Sequence, residues 1–524
     1  MAKAIQVTMD SENIPIIRYI IIPLIGFLVG FFLFIIIIRR KNALRHLDDF
    51  VSNFEKRAIF FLIIAFSSYS SLLLVARYFL NNFTIFDFGV YDIKLWQIAH
   101  ADFSDKFKIA STYNFQPILV FYSLWYNISE SPWILLILQV AAIGSAAIPL
   151  YLICKTFFKS PFLRLSIVLL YFLYPATQFN TFFDFHPDHL IIPLLFWCYY
   201  FVEKEKYIWL TPFLILSFMI KQPLILTIAF MGIYIAWGKK NYAFGFILFF
   251  ASIIIFYVAT FIVIPISYIY TNNKTITVIE SNAFSYLFEA GGIIPKLGEI
   301  FSPEKWRFFF FLLLPLLFLS IFGFKLFLPA VPIFGIHILS RITHHQNVAS
   351  HYTAGIIAPV FVSLISVLSG IRNKFGERIV LGILAWIVIM MLAFNVAHSP
   401  SPLAIAFWNK DWSKGKWHYS NYIRNGSDIA LQDAISLIPA DPSVKVVTHS
   451  EIYHKKLTHR YFYGVFPEKW QEADYILLDS RRGPYVSDRL DEVMYQQKLQ
   501  ELKDNSGFKI IFDKDGILVF TRRK

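Results

Sequence analysis

Charge is scarce in this chain of 524 residues: 16% of its side chains are Asp, Glu, Lys or Arg, against 57% that are AVILMFWYC. A soluble protein carries roughly a quarter of its residues as charges and under half as apolar side chains, so soluble enzyme classes are excluded first. Cysteine is nearly absent. The two present, Cys154 and Cys198, lie in or at the edge of apolar runs without metal-ligand spacing, which excludes a disulfide framework and a zinc site. There is no Walker motif, no GxGxxG after a strand and no nucleophile elbow, which argues against an ATP-driven pump. No internal repeat and no low-complexity tract beyond the apolar bias is found. The formal charge of +13 is spread through short basic clusters between apolar runs, a membrane-topology pattern and not a nucleic-acid-binding face.

What is abundant is long apolar sequence. The first run, Ile14 to Ile38, is too long for a signal-peptide core, lacks a small-residue cleavage site and ends in Arg39-Arg40-Lys41. It reads as a span whose C-terminal end is cytoplasmic. Further spans are expected at Ala58–Leu80, Trp133–Cys154, Leu163–Thr177, Leu190–Val202, Ile208–Ile220, Leu224–Trp237, Ala243–Ile266, Trp306–Phe322, Leu326–Leu339, Thr353–Ile371 and Ile379–Ala397. That makes about twelve in a multi-pass protein of the cell membrane. One parity puts every Lys/Arg cluster on the cytoplasmic side and both termini outside. The pair Ile208–Ile220 and Leu224–Trp237 reads as a short hairpin with Lys221 at its outward tip, or as one broken helix. Gln116 to Tyr126 is half a span long, an interfacial or re-entrant helix.

After His398 the run Ser399-Pro400-Ser401-Pro402 marks a boundary. The expected division is an extra N-terminal helix and cytoplasmic loop (1–57), a transmembrane domain (58–398), a linker (399–426) and an external α/β domain (427–524). In the last, Asp428–Leu437 and Ser487–Leu502 read as helices. Val444–Val447, Tyr475–Leu478, Lys509–Phe512 and Ile517–Phe520 read as strands, the last two joined in a hairpin at Asp515-Gly516.

Charges beside spans are costly and mark candidate sites. In Phe86-Asp87-Phe88-Gly89-Val90-Tyr91-Asp92, Asp87 serves either as the N-cap of the following helix or as an external carboxylate acting as general base or cation ligand. Asp92 is the alternative for that role. Asp184, His186, Asp188 and His189 crowd the next external loop, and four ionisable groups there imply a polar site, with capping by Asp188 as the plain alternative. Their spacing fits no standard zinc motif. Lys221 either snorkels to the interface or, with Arg341, pairs with an anionic head group such as a phosphate; His344, His345 and His351 share the latter's loop.

Taken in order, Phe86 to Asp92, Gln116-Pro117, Asp184-Phe185-His186-Pro187-Asp188, Lys221-Gln222 and His351-Tyr352 resemble a polytopic prokaryotic family of predicted membrane proteins that is similar to the glycosyltransferase-C superfamily. Ile438 to Val444, Leu457-Thr458-His459-Arg460 and Ala473 to Asp479 extend the resemblance to about residues 80 to 480. It implies a multi-span fold whose first large external loop carries the catalytic acid, Asp87, with His186 and Asp188 in a His-Pro-acidic motif and a polyprenyl-phosphate sugar as donor. Where the family shows Lys followed by two acids, this chain has Lys221-Gln222-Pro223.

The expected protein is therefore an α-helical, glycosyltransferase-C-like membrane glycosyltransferase acting on the outer face. Asp87 and Asp92 are its catalytic acids, and Lys221 and Arg341 its donor-phosphate ligands. Asp184, His186, Asp188, His189, His345 and His351 form a substrate or metal site, in which Asp87, His186 and Asp188 are the ligands for a divalent Mg or Mn ion. Its partners would be the lipid-linked sugar and membrane lipid, without nucleic acid. A lipid or solute transporter and a non-catalytic cell-envelope assembly protein are the rivals; a transporter more often shows repeat-related halves, which are missing here.

Overall fold

A computed structural model describes residues 14–40, 42–272, 297–300, 302–340, 345, 348–413, 417–459, 463–480 and 492–523. Arg341 and His344 lie outside the described residues, as does 487–491 of the expected tail helix. The helices form because apolar runs cannot leave backbone polar groups unpaired away from water. Among the described residues, six are long and apolar enough to cross a membrane: Ile17–Arg39, Glu55–Phe79, Trp133–Phe157, Tyr242–Asn272, His351–Phe375 and Glu377–His398. Pro161–Leu173 and Pro175–Phe182 meet at a 49° bend at Tyr174 and make a seventh if taken as one span. Tyr207–Phe218, Gln222–Gly238 and Phe324–Leu339 are shorter apolar helices, and Ile191–Glu203 is another, of 13 residues.

The expected continuous span Trp306–Phe322 is broken. Helix Pro303–Leu313 stops at Pro315, and Leu317 and Phe318 take left-handed backbone (φ 54° and 57°) before Leu319–Phe322 resumes. Proline removes a helical donor and clashes with the carbonyl one turn back.

Burial separates centre from rim. The apolar window of His351–Phe375 is 78% buried, against 17% for Ile17–Arg39 and 22% for Tyr242–Asn272, whose Phe and Ile side chains point outward. Ile17–Arg39 packs antiparallel along Glu377–His398 where glycine removes the Cβ: one built on Gly26 would stand 2.5 Å from Ala393 Cβ, and one on Gly30 2.2 Å from Trp386 Cδ1. Small residues four apart let two such helices approach closely. At one end of this pair Arg18 donates to the carbonyls of Ala397 and Trp412 at 3.0 and 2.6 Å. At the other end of the bundle Arg164 grips Glu55 with two bonds of 2.6 and 2.7 Å.

The C-terminal region holds a five-stranded mixed sheet: β1 (Val446–Thr448), β2 (Tyr463–Val465), β3 (Tyr475–Asp479), β4 (Phe508–Lys514) and β5 (Ile517–Arg522), in the order β2-β1-β3-β5-β4. β1 is parallel to β2 and β3, while β5 is antiparallel to β3 and β4. Asp515 and Gly516 both take positive φ (50° and 78°), the two-residue turn whose twist matches a hairpin. Helix Gly426–Ser436 starts at a capping box between Asn425 and Asp428 and packs on β5. This domain sits on the first large loop: Ile85 N donates to Ser450 O at 3.1 Å, and Lys455 Nζ to Glu130 O at 3.2 Å.

Candidate functional site

The loop after Glu55–Phe79 enters a π-helical turn, Ile85–Gly89, and then helix Val90–His100. Thr84, not Asp87, caps this turn, its Oγ1 accepting from Asp87 N at 3.3 Å. The Asp87 carboxylate is thereby left at the surface, about one third exposed, with Oδ1 3.5 Å from His186 Nε2. His186 Nδ1 lies 3.0 Å from the carbonyl of Asp184. A carbonyl only accepts, so Nδ1 carries the proton, and in the neutral ring Nε2 turns a lone pair toward Asp87. Two lone pairs face each other there unless a proton sits on one side. A proton on either side would join Asp87 to His186.

The cluster continues inward. The His186 and His351 rings stack with centroids 3.7 Å apart, and His351 Nε2 is 3.5 Å from Asp188 Oδ2. Asp188 is not a helix cap. Its Oδ2 accepts from Lys221 Nζ at 2.9 Å. Lys221 has extended backbone (φ −169°) between helices Tyr207–Phe218 and Gln222–Gly238, which delivers it as the tip of the short hairpin. Burial pulls its pKa down, but Asp188, Tyr91 and Tyr352 outweigh burial and hold it above the ordinary lysine value. Tyr91 closes the cluster: its ring meets His186 at 4.9 Å, its hydroxyl accepts from Gln116 at 3.0 Å, and burial raises its pKa. Neither ring nitrogen of His351, nor Asp188 Oδ1, makes a hydrogen bond among the described residues.

Other expected site residues are engaged elsewhere. Asp92 is fully buried away from Asp87 and accepts from Tyr126 Oη (2.7 Å), Tyr453 Oη (2.8 Å) and His459 Nε2 (2.8 Å). Two of those donors belong to the C-terminal domain, so Asp92 is its anchor and does not face Asp87. Asp184 is committed to Arg77 (2.8 Å) and to both the amide and the hydroxyl of Thr84 (3.2 and 3.0 Å). His189 Nδ1 contacts the His186 carbonyl, while its Nε2 faces Tyr122 Oη at 3.1 Å; burial lowers its pKa to about 4, so it is a neutral structural ring. His345 Nδ1 is 2.8 Å from Ser340 Oγ and its ring lies 4.6 Å from Tyr352, at the cluster's edge. Among the described residues no three His, Cys, Asp or Glu side chains are placed to hold one metal ion. The expected Asp87, His186 and Asp188 set is divided, because Asp188 turns to Lys221. Arg77 and Tyr91 escaped the sequence reading. Arg77 had a signal, a charge inside an apolar run.

An apolar groove of about 410 Å³ opens beside His189, lined by Ile118, Phe121, Tyr122, Trp125, Leu138 and Leu190 among others.

A search of curated proteins finds no match. Among solved structures, ArnT from Cupriavidus metallidurans, in a crystal structure bound to undecaprenyl phosphate, is similar at 10% identity with a TM-score of 0.46, over 88% of this chain and 97% of that one. A family model described as a predicted membrane protein, DUF2079, matches residues 77–519. With most of its length under that match, and with the long apolar helices described above, the chain belongs to the DUF2079 family of predicted membrane proteins.

Proposed function

We propose that the protein is a membrane glycosyltransferase that transfers a sugar from a polyprenyl-phosphate donor to an acceptor hydroxyl on the outer face of the membrane. The observation that carries this reading is one continuous chain of contacts in which the neighbouring Asp87 and His186 reach, through His351, the ion pair Asp188 and Lys221. Glycosyl transfer needs both parts. As the acceptor oxygen bonds to the anomeric carbon and the bond from that carbon to the phosphate oxygen breaks, the acceptor proton passes to Asp87, the group nearest solvent. His186 Nε2 holds that proton in common with Asp87. The departing lipid phosphate takes up negative charge, which Lys221 meets, joined on this reading by Arg341. The apolar groove beside His189 suits a lipid chain, and the C-terminal domain, external on the same reading, would recognise acceptor or partner. Nothing in this sequence of steps passes through a metal.

The test is transfer by the purified protein from a panel of polyprenyl-phosphate sugars, with and without Mg or Mn. Asp87→Asn is expected to insert and fold normally and to lower transfer by about 10²-fold or more, the usual worth of a positioned base. Unchanged turnover in Asp87→Asn would remove that residue from the mechanism; no turnover with any donor would favour a transporter. Reporter fusions after Lys240 and Lys524 test the topology, and a cytoplasmic signal from the latter would overturn the external site.

A further inference from the structure

Helix Val90–His100 presents Tyr91 to the cluster, and Lys94 follows three residues later on the same face. Lys94 is only 9% exposed. Among the described residues it forms no hydrogen bond and no ion pair, and the charged group acting on it is a second cation, Lys221. An ammonium largely withdrawn from water, with no counter-charge among the described residues, is a costly arrangement, normally avoided by pairing or by loss of the proton. Lys221 has its partner in Asp188. Asp188 is taken by Lys221 and Asp87 stands beside His186, so among the described residues no carboxylate is set against Lys94. Beyond Lys221, on the other side of the same ion pair, stands His351, whose two ring nitrogens also lack hydrogen-bond partners among the described residues. Buried polar groups left open in this way are met by a ligand or by water.

We propose that Lys94, completed by Lys221, forms an anion subsite for a phosphoryl group, Lys94 supplying the charge that Asp188 has already cancelled on Lys221. The choice of a lipid phosphate as its physiological source rests on the glycosyltransferase reading; the subsite itself does not. Burial first, and Lys221 second, lower the Lys94 pKa to about 8, which leaves the group mostly protonated at neutral pH and able to bind an anion.

The experiment is equilibrium binding to the full-length protein in detergent micelles, with three probes: polyprenyl phosphate, the uncharged polyprenol and inorganic phosphate. Lys94→Met is expected to weaken polyprenyl-phosphate binding by about tenfold or more, while polyprenol binding stays at the wild-type level. Lys94→Arg should restore the phosphate affinity. The ligand-free Lys94→Met protein should melt no lower than wild type, since the change removes an unpartnered charge and keeps the apolar stem. Competition by inorganic phosphate would assign the subsite to the phosphoryl group itself, and binding of the lipid form alone would assign it to the lipid-linked source; either supports the proposal. Unchanged binding of both phosphates in Lys94→Met would overturn it. So would a wild-type protein that binds neither. Failure of sugar transfer with phosphate binding and its Lys94 dependence intact would count against the glycosyltransferase alone.

Discussion

Asp92→Ala should release the C-terminal domain from the membrane helices. The carboxylate accepts three bonds of 2.7, 2.8 and 2.8 Å in a fully buried position, from Tyr126, Tyr453 and His459. Hydrogen bonds to a charged group are worth about 1.5–3 kcal/mol each. They do not add simply, and removal of one partner from a buried ionic network costs about 3–5 kcal/mol. On that scale the undocked population rises by about 10²- to 10⁴-fold, because each 1.4 kcal/mol is a factor of ten. Packing that survives the change works against release: the Trp96 ring lies over His459 at 5.3 Å, Phe88 meets Tyr453 edge-on at 4.9 Å, and Asn82 Nδ2 donates to Asn421 O at 3.0 Å. Asp92→Asn should fall between, since its amide keeps one acceptor for Tyr126 but turns a donor toward His459. The assay is amide exchange across residues 446–459 with limited proteolysis of the 399–426 connection, on full-length protein in nanodiscs. Exchange and cleavage in Asp92→Ala within about twofold of wild type would refute the anchor.

Gly30→Leu should disrupt docking of the first helix and lower the melting temperature, as overpacking costs about 1–3 kcal/mol and the Trp386 ring edge already occupies the space. Gly335→Ala, where a Cβ meets nothing within 4 Å, is the control and should not destabilise. His189 gives a pH dependence. Its pKa falls from 6.5 to about 4 on burial, so the neutral ring is favoured by folding, and its stability contribution is complete above pH 6.5 and lost as pH drops toward 4. His189→Gln should flatten the loss of melting temperature across that window, measured in a His454→Gln background because burial also lowers His454 to about 4.

Much of the helical framework was legible because length and flanking charge decide it. The expected Trp133–Cys154 and Ile379–Ala397 became Trp133–Phe157 and Glu377–His398. The strand runs at Tyr475 and Ile517 and the Asp515-Gly516 turn were legible for another reason: alternation and turn chemistry act within a few residues. The break at Pro315 was missed, since a mean over an apolar window gives one proline little weight. β2 escaped because its three residues, Tyr463–Val465, are too few to show a period, and its parallel pairing with β1 is made by distant chain. The close approach at Gly26 and Gly30 was written in the sequence as two small residues four apart, a pattern that apolar counting cannot see.

At the site, residue type was legible and partnership was not. Acids and histidines next to spans must find partners, so Asp87, Asp92, Asp184, His186, Asp188 and His351 were identifiable one by one from the cost of burying them. Which partner each takes depends on the tertiary path. Asp87 and Asp92 are five residues apart, yet the turn Ile85–Gly89 and the helix after it aim the first at His186 and the second at Tyr453. Asp184 and Asp188 likewise part toward Arg77 and Lys221, because the extended His186 lies between them and the 3-10 turn begins at Pro187. The same logic explains why Lys94 was invisible: on paper it is one polar residue in a helix with an exposed side, and only the placement of Lys221 by a distant hairpin brings a second cation close enough to act on it. A charge with no counter-charge among the described residues can be recognised only after the charges around it have found their partners.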